Sequence, residues 1–409
     1  MSDAIWVTGL GTLGAFGAGP QELARALQAA RPLAREVDRS AGYHRRGAAR
    51  TACLLPPGLL TPWISAAEAR RMSPPSKMAL AAARMALREA VLEGAAEGAR
   101  TALAVATAFG PSSYTEGLLR QILCEGPEAA SPSLFMESVA NAPASQISIA
   151  IRARGASLTV CQREAGPLLA VAAGAAELRS GRASQVLTGT VEEMTPLLHA
   201  VLDRFGALAG GPMPDGSEGE MARPFDRCRD GFLAGEGSTV LVLEAASGAA
   251  ARGAQPYARL LGWGSAFDPT AEAAGWGTGA ASLARALLRT LERCGRAPQD
   301  VDLVVSGASG AVAGDRLEAQ TLVAAWGGRP LPPLVTPKAI TGEYGAGFLG
   351  AAILAAAGTP CGPTPGFRDM DPDLGVTPYD GAPLAAPRTV LVSTLAAGGA
   401  AAWLVLAAP

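Results

Sequence analysis

The sequence is narrowed first by what it has little of. Only two histidines, His44 and His199, occur in 409 residues, and the six cysteines (Cys53, Cys124, Cys161, Cys228, Cys294, Cys361) contain no CxxC pair. Metal-ligand spacing is therefore absent, and cysteines scattered in this way read as small buried apolar residues, not as a disulfide framework. No apolar run of roughly 18 residues free of Gly, Pro or charge stands out. The opening MSDAIWVTGLG has no basic stretch ahead of an apolar core, so neither a membrane span nor a secretory leader is expected. Charged residues make up only 17% and the net charge is −2, which leaves no basic footprint for nucleic acid. The expectation is a cytoplasmic protein with no metal and no membrane or nucleic-acid partner.

What the chain does have is interior. Hydrophobic residues make up 49% and the mean hydropathy is +0.22, the composition of a compact protein able to bury a large core. Fifty glycines and 31 prolines promise many tight turns. Ile5–Thr8 reads as a short strand and Gly9–Gly14 as a Gly-rich turn. The spacing is not the GxGxxG of a dinucleotide site followed by an acidic residue some twenty positions on. Residues 33–64 read as a surface excursion, Ser76–Leu92 as a helix with one apolar face, and Ala102–Ala106 as a strand. His199, among Leu197, Leu198, Val201 and Leu202, reads as a packed helix histidine.

The centre of the chain is residues 155–191: a short apolar strand, the turn Gln162-Arg163-Glu164-Ala165, an Ala-rich helix stopped by Gly181, and a second buried strand. A strand turning sharply into a helix N-terminus is where many enzymes mount a nucleophile, because the dipole and the free N–H groups stabilise a thiolate or an oxyanion. Further on, Arg223–Gly237 holds Asp226, Arg229, Asp230 and Glu236, which can form a charge network that fixes the loop. Strand Ser238–Glu244 closes a first half and strand Tyr257–Gly264 opens a second, giving units 1–250 and 251–409. Helix Ala280–Cys294 and strand Val301–Val305 follow. Mostly apolar strands alternating with helices need cover on both faces, which predicts an α/β protein built as an αβαβα sandwich of two similar halves.

Three stretches resemble the β-ketoacyl synthases, the condensing enzymes of the thiolase fold. The run Arg223-Pro224-Phe225-Asp226-Arg227-Cys228-Arg229-Asp230-Gly231-Phe232-Leu233-Ala234-Gly235-Glu236-Gly237 follows the ketosynthase segment Pro-Phe-Asp-x-x-Arg-Asp-Gly-Phe-x-x-Gly-Glu-Gly nearly residue for residue. Pro337-Lys338-Ala339-Ile340-Thr341-Gly342-Glu343 is similar to the family's Lys-x-x-x-Gly-His. Val305 to Glu318 keeps Asp315 and Glu318 at the offsets that follow the family's other histidine. The resemblance implies a five-layer thiolase-like sandwich made of two pseudo-symmetric halves.

It also implies that the family's chemistry is missing. A decarboxylating condensation uses a thiolate to hold the acyl chain and two imidazoles to polarise the carbonyl. The cysteine's slot falls on Arg163 counted back from Gly166, or on Glu164 counted forward from Gly155. The histidine slots hold Gly307 and Glu343, and the gating phenylalanine of the C-terminal motif maps to Leu395. Lys338, Asp315, Glu318 and Leu395 then remain as a remnant pocket, in which Arg163 is expected to meet Glu343 or Glu318 because buried charges need partners.

A ketosynthase scaffold without its cysteine resembles the chain-length factor, the β subunit of type II polyketide and aryl-polyene synthases. That resemblance implies a catalytically silent subunit with no cofactor of its own, paired with an active ketosynthase, shaping a chain tunnel and working with acyl carrier protein. Residues 131–151 and Ser157–Val160 are placed at the partner contact. Two rival readings are a decarboxylase or acyltransferase using Cys161 or Gln162, and a non-enzymatic scaffold for a lipid-like ligand in a cavity lined by Leu395 and residues 131–140. Cys161, at the end of an apolar strand, is expected to be buried.

Overall fold

The computed structural model describes residues 4–94, 100–210 and 219–409. Ten strands carry the architecture: β1 (Ile5–Gly14), β2 (Thr101–Thr107), β3 (Ser157–Cys161), β4 (Gln185–Glu192), β5 (Gly237–Ala245), β6 (Ala258–Phe267), β7 (Leu303–Ser306), β8 (Leu334–Val335), β9 (Thr389–Leu395) and β10 (Ala400–Ala407). They run in the order β1-β5-β4-β2-β3 in the first half and β6-β10-β9-β7-β8 in the second. In both halves the first two pairings are antiparallel and the last two parallel, so the halves repeat one topology. They join edge to edge only where Ile5, Trp6 and Val7 pair antiparallel with Leu260, Arg259 and Ala258.

Ten helices fill the layers: α1 (Pro20–Ala29), α2 (Pro74–Glu89), α3 (Ser112–Glu125), α4 (Pro132–Ser138), α5 (Ala142–Ile151), α6 (Gly166–Arg179), α7 (Pro196–Arg204), α8 (Ala280–Arg293), α9 (Val312–Trp326) and α10 (Gly347–Ala356). Helices α6 and α10 lie between the two sheets, and every residue of α10 is buried. Their Leu168, Val171, Phe348, Leu349 and Ile353 share one core with Leu10, Leu241, Val392 and Leu404 from both sheets. Helices α2 and α5 cover the outer face of the first sheet, and α8 and α9 that of the second. On α8 the stripe Leu283, Leu287 and Leu291 is fully buried, each side chain contributing about 1.5–3 kcal/mol by leaving water. This is the αβαβα thiolase-like arrangement that the pattern predicted.

The Gly-rich turn expected at Gly9–Gly14 is instead the continuation of β1. A Cβ at Gly9 would come within 2.2 Å of the Ala86 carbonyl oxygen and one at Gly11 within 1.9 Å of that of Ala82. Those glycines let α2 pack directly onto the strand backbone, a close approach that local sequence cannot distinguish from a turn.

Strand β3 ends the first sheet and pairs only with β2 among the described residues. Its Ser157, Leu158 and Cys161 are exposed, so the expected burial of Cys161 is overturned: the strand is apolar but lies at an edge. Cys53 alone of the six thiols is buried, Cys124 and Cys161 being exposed and the other three half-buried. Near this edge the chain also exposes Leu119, Leu123, Phe135, Met136 and Ile149.

Candidate functional site

The turn after β3 brings the backbone round in one hydrogen bond, Gly166 N–H to the Arg163 carbonyl at 2.9 Å, and α6 starts there. Of the two residues assigned to the nucleophile slot, Glu164 is the one that points inward: it is buried, whereas Arg163 is half-buried. One carboxylate oxygen of Glu164 accepts the Tyr344 hydroxyl at 2.9 Å and the other accepts the Ala397 N–H at 3.2 Å. Its backbone carbonyl accepts Thr394 Oγ1 at 3.0 Å, which ties the turn to the second half. Burial pushes the Glu164 carboxyl up to about 7, with the nearby Glu343 charge adding to it.

The expected pairing of Arg163 with Glu343 or Glu318 does not occur. Glu343 pairs with Lys338 at 2.6 Å, and both are almost wholly buried. The reason is local: Lys338 opens the short helix Lys338–Thr341, and Gly342 at φ +85° turns the chain so that Glu343 folds back on it. Lys338 also lies 5.0 Å from the centroid of the Phe348 ring. Tyr344 follows at φ +66°, a left-handed conformation that is strained for an aromatic residue, and its ring is held edge-on by Phe109 and Phe232.

Gly307 leaves no room for an imidazole. A Cβ there would lie 2.7 Å from Thr394 Oγ1 and 3.0 Å from the Ser393 carbonyl oxygen. Asp315 accepts N–H groups from Phe225, Ser309 and Gly310, so it clamps the 223–237 loop onto the second half. Burial raises Asp315 to about 6 and Glu318, beside Ser393 and Ser306, to about 7. Leu395 lines neither cavity described below; it is buried with Leu317, Leu391 and Trp403 in the core of the second half. Phe135 and Met136 of the 131–140 segment, by contrast, face solvent.

The charge network expected within Arg223–Gly237 is also different. Its members bind mostly to backbone and to other loops: Arg229 to Asp371 at 2.7 Å and to the Asp226 carbonyl, Asp226 to the N–H groups of Cys228 within the run and of Arg368 and Asp369 beyond it, and Glu236 to those of Leu55 and Met194. Within the run, Asp230 meets Arg223 at 3.7 Å.

The slot residues converge on almost no space. A void of about 20 Å³, room for roughly one water, is lined by Gln162, Arg163, Glu164, Glu192, Lys338, Glu343 and Tyr344. Beyond Tyr344 an open cleft of about 420 Å³ reaches the surface, walled by Phe109, Leu198, Leu202, Phe232 and Trp276, with exposed Val201, Phe205 and Val312 at its rim. Arg163, Glu164 and Tyr344 line both spaces. A larger surface cavity, about 530 Å³ around Pro330–Pro333 and Tyr379, contains none of these residues.

Sequence reasoning missed two participants, Tyr344 and Glu192, and one contact away from the site, between the two histidines. Tyr344 separates void from cleft. Glu192, at the end of β4, accepts Thr107 Oγ1 at 2.6 Å and the N–H groups of Ala108 and Phe109, yet burial still pushes it up to about 8. The two histidines meet: His44 Nε2 lies 3.0 Å from Nδ1 of the buried His199, whose Nε2 faces the Thr51 carbonyl. Glu192 could have been noticed as one of two adjacent carboxylates, Glu192-Glu193, straight after an apolar strand; for the others only distant sequence is brought together.

The fold and the family models define the class: residues 2–249 match the β-ketoacyl synthase N-terminal domain and residues 257–357 the C-terminal domain, and the chain belongs to that family. Within it the chain is related to the ketosynthase β subunits of type II polyketide synthases. It is 34% identical over 310 residues, 73% of this chain and 72% of the relative, to the tetracenomycin polyketide synthase ketoacyl synthase beta subunit of Streptomyces glaucescens. It is 30% identical over 331 residues, 78% of both chains, to the actinorhodin polyketide putative beta-ketoacyl synthase 2 of Streptomyces coelicolor. Among solved structures, the ishigamide ketosynthase/chain length factor superposes with a TM-score of 0.87 at 30% identity over 100% of both chains. Among the described residues, no helix is long and apolar enough to cross a membrane.

Proposed function

We propose that this chain is a non-condensing ketosynthase-like subunit of the chain-length-factor type, which pairs with an active ketosynthase and works on chains carried by an acyl carrier protein. The observation that carries the reading is the filled reaction chamber. Glu164 takes up the Tyr344 hydroxyl and the Ala397 N–H, Lys338 and Glu343 neutralise each other, and about 20 Å³ remains. A carboxylate is no thiolate, and neither glycine nor an ion-paired glutamate replaces an imidazole donor. The partner half of the reading is supported by the free edge of β3 and the exposed apolar residues beside it, Leu119, Leu123, Phe135, Met136 and Ile149, a cluster that water disfavours. A related structure pairs a ketosynthase with a chain length factor, and another of the same fold holds a type II acyl-carrier protein with its ketosynthase.

The acyltransfer alternative through Cys161 is supported only by that thiol's exposure. Cys161 lies on the edge strand and is not among the residues lining the void or the cleft. Co-expression with a ketosynthase of the same pathway, followed by affinity purification through a tag on this chain, is expected to yield a one-to-one complex. This chain alone should extend no primed carrier. A stable homodimer that ignores the ketosynthase, or elongation by the isolated chain, overturns the reading.

A further inference from the structure

We infer that Arg163 is a specificity residue: its guanidinium, lining the inner end of the open cleft, selects chains that end in a carboxylate. Arginine carries five donors in a rigid fork and is seldom left without an acceptor away from bulk water. Here its side chain makes no hydrogen bond or ion pair within the described residues, although it is half-buried and lines both the void and the cleft. The nearby carboxylates are already engaged: Glu343 holds Lys338, Glu164 holds Tyr344 and Ala397, Glu192 holds Thr107 and its neighbours, and Asp230 lies with Arg223. The fork is left free for a visitor.

Two further features favour an anionic visitor at this place. Helix α6 begins three residues later with no acidic residue in its first turn and no side chain capping it, so its free N–H groups and the positive end of its dipole lie near this turn. Apart from Glu164 and Asp230, the rest of the cleft wall is largely apolar and aromatic, which suits an uncharged body with one charged terminus, and the low polarity of such a wall strengthens a bidentate guanidinium–carboxylate contact. The ligand class is therefore an acyl chain bearing a free carboxylate at its far end. The groups facing this position are Glu164 from the turn, Glu192 from β4, Lys338, Glu343 and Tyr344 from the second-half loop, and Asp230 from the 223–237 loop. Since Glu164 sheds its charge as pH falls through about 7, repulsion of the incoming carboxylate weakens on the acid side.

This inference rests on the proposal above that the protein works on carrier-borne chains, and adds that the cleft receives them; its test does not depend on which subunit the chain pairs with. The probes are S-succinyl-pantetheine and its neutral terminal amide, titrated calorimetrically into the full chain, purified with whatever subunit accompanies it, at pH 6.5 and 8. The unaltered protein is expected to bind the succinyl compound at least about tenfold more tightly than the amide, more so at pH 6.5. Arg163→Gln should level the two without weakening the amide, and Arg163→Lys should keep part of the difference. Equal affinities in the unaltered protein, a preference that survives Arg163→Gln, or no binding of either probe overturns the inference. Failure here with an intact heterodimer leaves the subunit reading standing, and loss of the heterodimer with the charge preference intact does the reverse.

Discussion

At the scale of single residues, the site turns on which buried charge meets which partner. Lys338 shows the energetics. Its partner is Glu343, and at 3% side-chain exposure for both, neither charge has water to fall back on. Lys338→Met should therefore leave an uncompensated buried carboxylate and cost about 3–5 kcal/mol, whereas the double variant with Glu343→Leu should recover much of that loss. Thermal melts of the three proteins check this; a single variant as stable as its parent would mean that the pair is not buried in solution. That Lys338, Asp315 and Glu318 persist was legible from their spacing. Which charge Glu343 would take was not, because it depends on the positive φ of Gly342, a conformational fact that a motif does not carry. The choice between Arg163 and Glu164 for the nucleophile slot was open for a related reason: the loop is one residue short, and only packing against Thr394, Tyr344 and Ala397 decides which side chain turns in.

At the scale of elements, the informative strand is β3. An apolar run of this length reads equally well as a central or an edge strand, which is why Cys161 was expected inside. Its neighbours resolve the matter physically: α3, α4 and α5 leave Leu119, Leu123, Phe135 and Ile149 in water, so the edge is incomplete, and Glu137 anchors the segment from beneath by accepting Ser73 N–H, Ser76 Oγ and Gln146 Nε2. A charge placed on the exposed face, Leu158→Asp or Leu123→Asp, should lower recovery of a ketosynthase partner at least about tenfold while leaving the melting temperature of the isolated chain nearly unchanged, since an exposed side chain contributes little to folding. Co-purification yield together with a melt reads both. Helices α2, α6 and α8, by contrast, were legible to within a few residues, because apolar residues recur along them at helical spacing, whereas α3, α9 and α10 went unread. The opposite failure occurred at β1, where packing glycines look like turn glycines.

At the scale of the whole molecule, the two halves bury more carboxylates than cations between them, and this sets a pH dependence. Glu192 is raised to about 8, Glu164 and Glu318 to about 7 and Asp315 to about 6, in each case chiefly by burial. In the unfolded chain these groups titrate near about 4, so between there and about 8 the folded protein binds more protons than the unfolded one. Stability from these groups is then present at acid pH and is lost as pH rises through 6 to 8. The carboxylates with depressed values, among them Glu68 at about 2, Asp371 and Asp268, work in the other direction and are protonated only in stronger acid, while His44 and His199, lowered by burial, oppose the trend below neutral pH but are outnumbered by the raised carboxyls. The melting temperature should accordingly be highest near about pH 5 and fall by about 3 °C or more by pH 8.5, in contrast to the neutral optimum common among proteins whose carboxylates are salt-bridged. Glu192→Gln, which removes the group with the highest value while keeping its shape, should flatten the alkaline limb without moving the acid one. Melts across that range for both proteins test it: a parent whose stability rises towards pH 8, or a variant with an unchanged alkaline slope, would mean that the buried acids are ionised in the folded state and that the chamber is wetter than its 20 Å³ void allows.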